Sequence, residues 1–234
     1  MNVNEKLEEL YQFNMELLKA DLFDYNLNNN DKVTNPHLIK VSDKWENAQV
    51  KIMIVGQETY TWCGECGNGG EFSSNIEMSL KVYERFFLKE KGYSSPFWNE
   101  FRRIMNTVKS SKSIDYCWNN IIKIGRLGSG NIPEVNDIIK DKFDVVLEEI
   151  KITKPNIILF FTGPRYDNHI KRFIGNFKHE NVEGFKQNEL SSLKFENINL
   201  DLCLKTYHPN YLYRSGKKER VMNEIISMIS SKVN

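Results

Sequence analysis

Lys51-Ile52-Met53-Ile54-Val55-Gly56-Gln57-Glu58-Thr59-Tyr60 is an apolar, β-branched run that stops at a glycine and then presents an amide and a carboxylate. Continuous apolar runs of this length are strands buried on both faces, and a polar turn directly after one is how an open parallel α/β sheet builds a site at its carboxyl edge. The rest of the chain is therefore expected to supply the walls, floor and lid of that turn.

Downstream, Gly56 to Ser74 forms a long irregular segment with further glycines at Gly64, Gly67, Gly69 and Gly70. Loops of that length inside compact domains are usually functional or mobile. Ser74 is expected to cap a helix through Glu90, and a second helix starts at Pro96 with Phe97, Phe101, Ile104 and Val108 on its apolar stripe. Tyr116 to Lys123 is a short apolar run interrupted by Asn119 and Asn120; adjacent amides at a strand end either satisfy a turn or read a ligand. Glu134 to Ile150 reads as one helix, Asn156 to Phe161 as a buried strand, and Thr162-Gly163-Pro164 as the next strand-end turn before a helix through about Phe173. Asn176 to Phe195 holds edge strands or an exposed insertion. Leu200 to Thr206 makes a last strand ending at Tyr207-His208-Pro209, and Lys218 to Met228 a closing helix.

Upstream, Leu7, Leu10, Tyr11, Met15 and Leu18 recur at helical spacing, so residues 1–48 read as a helical extension packed on the body. His37 in the following loop reads as an ordinary loop histidine, and His169 and His179 as helix or loop surface. The alternation of strands and helices predicts a three-layer α/β/α sandwich around a mainly parallel four-stranded sheet, with all 234 residues in one domain.

Hydrophobic residues make up 40% of the chain and aromatics 12%, enough for a packed core. Lysine and arginine number 32 against 31 acidic residues, so a polyanion partner would need a local basic patch rather than a global field. No apolar run approaches the roughly 20 residues of a membrane helix, and Met1 to Ala20 is charged and amphipathic rather than signal-like; a cytoplasmic location without membrane contact is expected. Four cysteines without such a signal suggest thiols or a metal site, and Cys63-Gly64-Glu65-Cys66 has metal-ligand spacing, but one such pair is a weak signal. No metal is expected.

Four separated segments, Gly56-Gln57-Glu58 after its strand, Asn119-Asn120-Ile121-Ile122-Lys123, Lys154-Pro155-Asn156-Ile157-Ile158-Leu159, and Thr206-Tyr207-His208-Pro209 with Leu212 and Arg214, together resemble the uracil-DNA glycosylase superfamily. The likeness spans roughly Lys51 to Arg220. Glu58 stands where the main branch of that family has Asp, Thr59 where it has Pro, and the last motif runs His-Pro-Asn-Tyr-Leu rather than His-Pro-Ser-Pro-Leu.

The resemblance implies a DNA glycosylase that excises uracil or another altered base in base excision repair, a hydrolase acting as a monomer without a cofactor. Breaking a base–sugar bond develops positive charge on the sugar and negative charge on the base. By resemblance, Glu58 stabilises the sugar and orients water, and His208 donates to a carbonyl of the departing base. Asn120 reads the base beside Gln57, with Asn119 as the alternative in register. Phe72 stacks on the base, with Trp62 or Tyr60 as alternatives. Leu212 and Tyr211 fill the gap left in the duplex, and Arg214, Lys217 and Lys218 contact phosphates, with Lys205 and Arg220 in the same basic cluster. The alternatives are a member that binds a base or nucleic acid without cleaving it, and a hydrolase of free nucleosides.

Overall fold

A computed structural model describes residues 1–66, 76–89, 93–128, 130 and 132–234. The opening run forms strand β1 (Val50–Gly56), followed by helix α2 (Ile76–Tyr83) and a π-helical turn over Glu84–Lys89; helix α1 (Val3–Asn28) precedes them. Then come α3 (Pro96–Thr107), β2 (Ile114–Asn120), α4 (Pro133–Lys142), α5 (Val146–Thr153) and β3 (Ile157–Phe160). A 3-10 turn over Pro164–Tyr166 leads to α6 (Asp167–Phe173), β4 (Phe177–Asn181), β5 (Leu190–Phe195), β6 (Leu202–Thr206), α7 (Pro209–Arg214) and α8 (Lys218–Val233).

Among the described residues the sheet has six strands in the order β2-β1-β3-β6-β5-β4, not the four expected. Strands β2, β1, β3 and β6 are parallel, as the buried apolar runs predicted, while β5 runs antiparallel to β6 and β4 antiparallel to β5. The additional pair comes from Asn176 to Phe195. Its strands are half-polar because they lie toward one edge, and that is why their pattern is weak in the sequence. Parallel alignment brings the carboxyl ends of β1, β2, β3 and β6 to one edge of the sheet.

Consecutive side chains on a strand point to opposite faces, and Asn119 and Asn120 at the end of β2 define the two sides. Asn119 reaches Glu149 on α5, itself held by Tyr11 of α1. Asn120 lies against Gly56 and the α3 side chain Phe97. Helices α1, α4 and α5 therefore cover one face, and α3, with α7 and α8 packed on it, the other.

Helix α1 runs past residue 20 because Leu18, Leu22 and Asn26 continue one buried row. The buried amide of Asn26 breaks the apolar pattern but bonds the carbonyls of Val33 and Cys66. The single helix expected over Glu134 to Ile150 is two helices. Phe143, Val145 and Val146 are all buried, which one continuous helical face does not allow, and Phe143 leaves helical geometry at φ −141°, ψ 42°. The Ser74 cap lies outside the described residues. No helix among the described residues is long and apolar enough to cross a membrane.

Candidate active site

The strand-end turn after β1 is held from two sides. Ile121 and Ile122, just beyond β2, donate backbone hydrogen bonds to the carbonyls of Gly56 (3.1 Å) and Gln57 (2.9 Å). Gly56 has no room for a side chain: a Cβ there would stand 2.4 Å from Asn120 Oδ1 and 3.3 Å from Phe97. Gly125 is as constrained, with the Thr59 carbonyl 2.5 Å from where its Cβ would be. The segment after β2 thus lies directly on the segment after β1, and the two make one wall.

Along that edge opens a cavity of about 710 Å³ whose lining includes Gln57, Glu58, Asn120 and His208, contributed by the ends of β1, β2 and β6. Gln57 Nε2 donates to the Thr162 carbonyl (2.8 Å) at the end of β3, which ties the turn to its neighbour and orients the amide. Trp118 Nε1 donates to Asn120 Oδ1 (3.3 Å), while Asn120 Nδ2, buried, has no hydrogen-bond partner among the described residues. An amide anchored through its oxygen with an unmet N–H is a donor waiting for an acceptor.

Glu58 is half-buried, and its Oε2 accepts a hydrogen bond from the hydroxyl of Tyr166. Burial raises its pKa from the ordinary carboxylate value, and the Tyr166 bond opposes that rise. Nothing in the sequence pairs these two side chains; the 3-10 turn after β3 carries Tyr166 to the β1 turn.

His208 is the N-cap of α7. Its Nδ1 accepts from the Asn210 backbone N–H (3.2 Å), so the neutral ring carries its proton on Nε2. The ring lies nearly parallel to Phe97, centroids 5.9 Å apart. Burial pushes the His208 pKa down to about 4, so at neutral pH the side chain is an uncharged N–H donor. A comparison with protein-family models finds no match. None of the curated proteins compared with the chain matches it either.

Of the other candidates, Trp62 and Tyr60 line the same cavity, while Phe72 lies outside the described residues. Asn119 faces away from the cavity: it accepts from Lys123 Nζ (2.7 Å) and donates to Glu149 Oε2 (2.9 Å) in a network with no solvent exposure. Phe97 reads as core from its helical stripe, and nothing in the sequence singles out Trp98 or Trp118, yet all three form cavity wall; aromatic periodicity looks the same in either role. His37 lies in the loop expected but is no ordinary loop histidine: it is fully buried, its ring 4.3 Å from that of Trp118, and both ring nitrogens lack a partner among the described residues.

Leu212 requires correction. It has no exposed surface, because the short helix α7 turns it inward onto α3 and α8, so it is not placed to wedge into a duplex. Tyr211 beside it is exposed, with its ring 4.3 Å from Tyr207. The basic cluster is also largely matched by acids. Lys217 bonds Glu189, Lys218 lies 3.5 Å from Glu100 and 3.1 Å from Glu219, and buried Lys205 bonds Asp167. Arg214 is exposed. Cys63, Cys66, Cys117 and Cys203 are free thiols; two strands separate Cys117 on β2 from Cys203 on β6. No group of three or more potential metal ligands occurs among the described residues.

Proposed function

We propose that this chain is an N-glycosidase of the uracil-DNA glycosylase type, which hydrolyses the bond between an altered base and deoxyribose in DNA. The observation that carries this reading is that Glu58, Asn120 and His208, from three different strand ends, line a single cavity. The order and spacing of the sequence segments support the same conclusion.

A base entering the cavity meets the Asn120 N–H and the neutral His208 Nε2–H, both suited to carbonyl oxygens. Glu58, ionised, stands for the sugar side, where it stabilises the developing cation and receives a proton from the attacking water. Water oxygen bonds to C1′ as the C1′–N bond breaks and its electron pair leaves with the base. A base inside a duplex is out of reach, so it must be extruded first. Tyr211 is exposed where Leu212 is buried, which supports Tyr211 as the side chain that meets the strand.

The Tyr166 hydroxyl on Glu58 favours a second reading, a protein that binds a base without cleaving it, since the bond occupies one of the two carboxylate oxygens open to a water. Single- and double-stranded oligonucleotides carrying uracil or another altered base, followed by alkaline cleavage of abasic sites, separate the two. Strand breaks that depend on Glu58 and His208 support the N-glycosidase. Breaks that persist in both Glu58→Gln and His208→Ala variants remove the site assignment, and binding without breaks supports the second reading.

A further inference from the structure

Much of the lining of the cavity is aromatic. Trp62, Phe86, Tyr93, Phe97, Trp98 and Trp118 all line it. They meet one another edge to face rather than in one stack: Trp62 on Phe86 at 5.6 Å and 84°, Phe86 on Trp98 at 5.2 Å and 75°, Trp98 on Trp118 at 4.8 Å and 75°. Rings in edge-to-face contact turn their π faces in several directions, and a π face attracts a cation.

The charged groups point the same way. Among the described lining residues Glu58 is the one acidic side chain, and there is no lysine or arginine. Cys63 is no anion either, since burial pushes its thiol up to about 12. A departing pyrimidine such as uracil carries a negative charge, and no lysine or arginine among the described lining residues meets it; the field of Arg85 is felt at Cys63 alone among the lining thiols and acids. The cavity is also large, within the range of roughly 300–1,000 Å³ that takes whole drug-sized ligands. Two buried N–H groups on lining residues, Trp62 Nε1 and Asn120 Nδ2, have no partner among the described residues, so a fitting ligand offers acceptors as well as charge.

Resting on the N-glycosidase reading above, we propose that the cavity selects a positively charged, N-alkylated purine, held by its aromatic lining in the negative field of Glu58 on the sugar side, over a neutral or anionic pyrimidine. Such a base suits the chemistry. Water oxygen bonds to C1′, the C1′–N9 bond breaks, and its electron pair cancels the formal positive charge of the ring. The base departs neutral, and the proton released by water passes to Glu58 and then to solvent. No oxyanion forms, so the neutral state of His208 is no handicap.

The experiment uses the full chain and its own fluorescence, since Trp62, Trp98 and Trp118 all border the cavity. N7-methylguanosine, at mildly acidic pH where its ring is cationic, is titrated against the uncharged isostere 7-deaza-7-methylguanosine and against uridine. In parallel, release of free base is followed from duplexes carrying N7-methylguanine or uracil. The expected result is binding of the cation about tenfold or more tighter than of its isostere, with release of the alkylated base faster than of uracil. Equal binding of cation and isostere, or tighter binding of uridine, overturns the proposal. Uracil release without preference for the cation leaves the N-glycosidase reading standing and removes this one. Preferential binding of the cation without release of either base does the reverse.

Discussion

Asn120 Oδ1 lies 2.4 Å from the point where a Cβ on Gly56 would stand, so the cavity-facing amide occupies the space that the glycine leaves. Gly56→Ala must push Asn120 or the backbone aside. The expected cost is about 1–3 kcal/mol of stability, the usual price of overpacking, seen as a lower urea midpoint. On the proposed function, in which the displaced group binds the base, base release should show a raised KM. A Gly56→Ala protein with unchanged KM would mean that Asn120 does not touch substrate.

The pH profile should identify the ionising group. With the Glu58 pKa raised by burial and the His208 pKa near 4, activity should rise with pH as Glu58 loses its proton, at a pH above the ordinary carboxylate range. No inflection from His208 should appear near neutrality. The Tyr166 bond lowers the Glu58 pKa, so Tyr166→Phe should move the inflection upward. Profiles of kcat/KM for both proteins check this, and an inflection near the ordinary histidine value that vanishes in His208→Asn would contradict the neutral ring.

Lys123 and Glu149 form a buried pair, with Lys123 Nζ 2.7 Å from Glu149 Oε1, joined by Tyr11 and Asn119. Lys123→Met leaves Glu149 uncompensated in the interior and should cost about 3–5 kcal/mol. Adding Glu149→Leu should restore part of that loss. Because Asn119 Oδ1 also accepts the Asn120 backbone N–H at 2.8 Å, the single variant should disturb the cavity as well. Denaturant unfolding of the single and double variants measures the difference.

His37 should make the fold acid-sensitive. Burial, with Lys123 nearby, holds its pKa well below the ordinary histidine value, so below about pH 6.5 the unfolded chain binds a proton that the folded one refuses. Stability is therefore complete above that pH and falls as pH drops, by up to about 1.4 kcal/mol per pH unit from this one group. His37→Phe should flatten the slope between pH 6.5 and pH 5 by about that amount. His208, also lowered, keeps part of the remaining slope.

DNA binding should depend weakly on salt. With Lys217 and Lys218 already facing Glu189, Glu100 and Glu219, this cluster has few cations free to displace counterions. Arg214→Ala should reduce the salt slope of log K by about 0.9, one phosphate contact, and Lys217→Ala by less. A larger effect from Lys217 would mean that Glu189 releases it on binding.

Residues 51–58 alone determined that a buried parallel strand ends in a polar turn, because an uninterrupted β-branched run is compatible with little else. The same holds for β3, for β6 and for the helix starting at Pro96, whose boundaries follow from local chemistry. What tertiary structure alone decided is which groups meet. Asn119 and Asn120 differ by one position, and only the face each takes sends one to Lys123 and the other to the cavity. Tyr166 reaches Glu58 and His37 reaches Trp118 across distant parts of the chain, and Leu212 is drawn inward by the helices around it. Local pattern specifies how a segment curls and which side is apolar. Packing, which depends on every segment at once, specifies whether an aromatic ring or an amide ends up in the core or on the wall of a cavity.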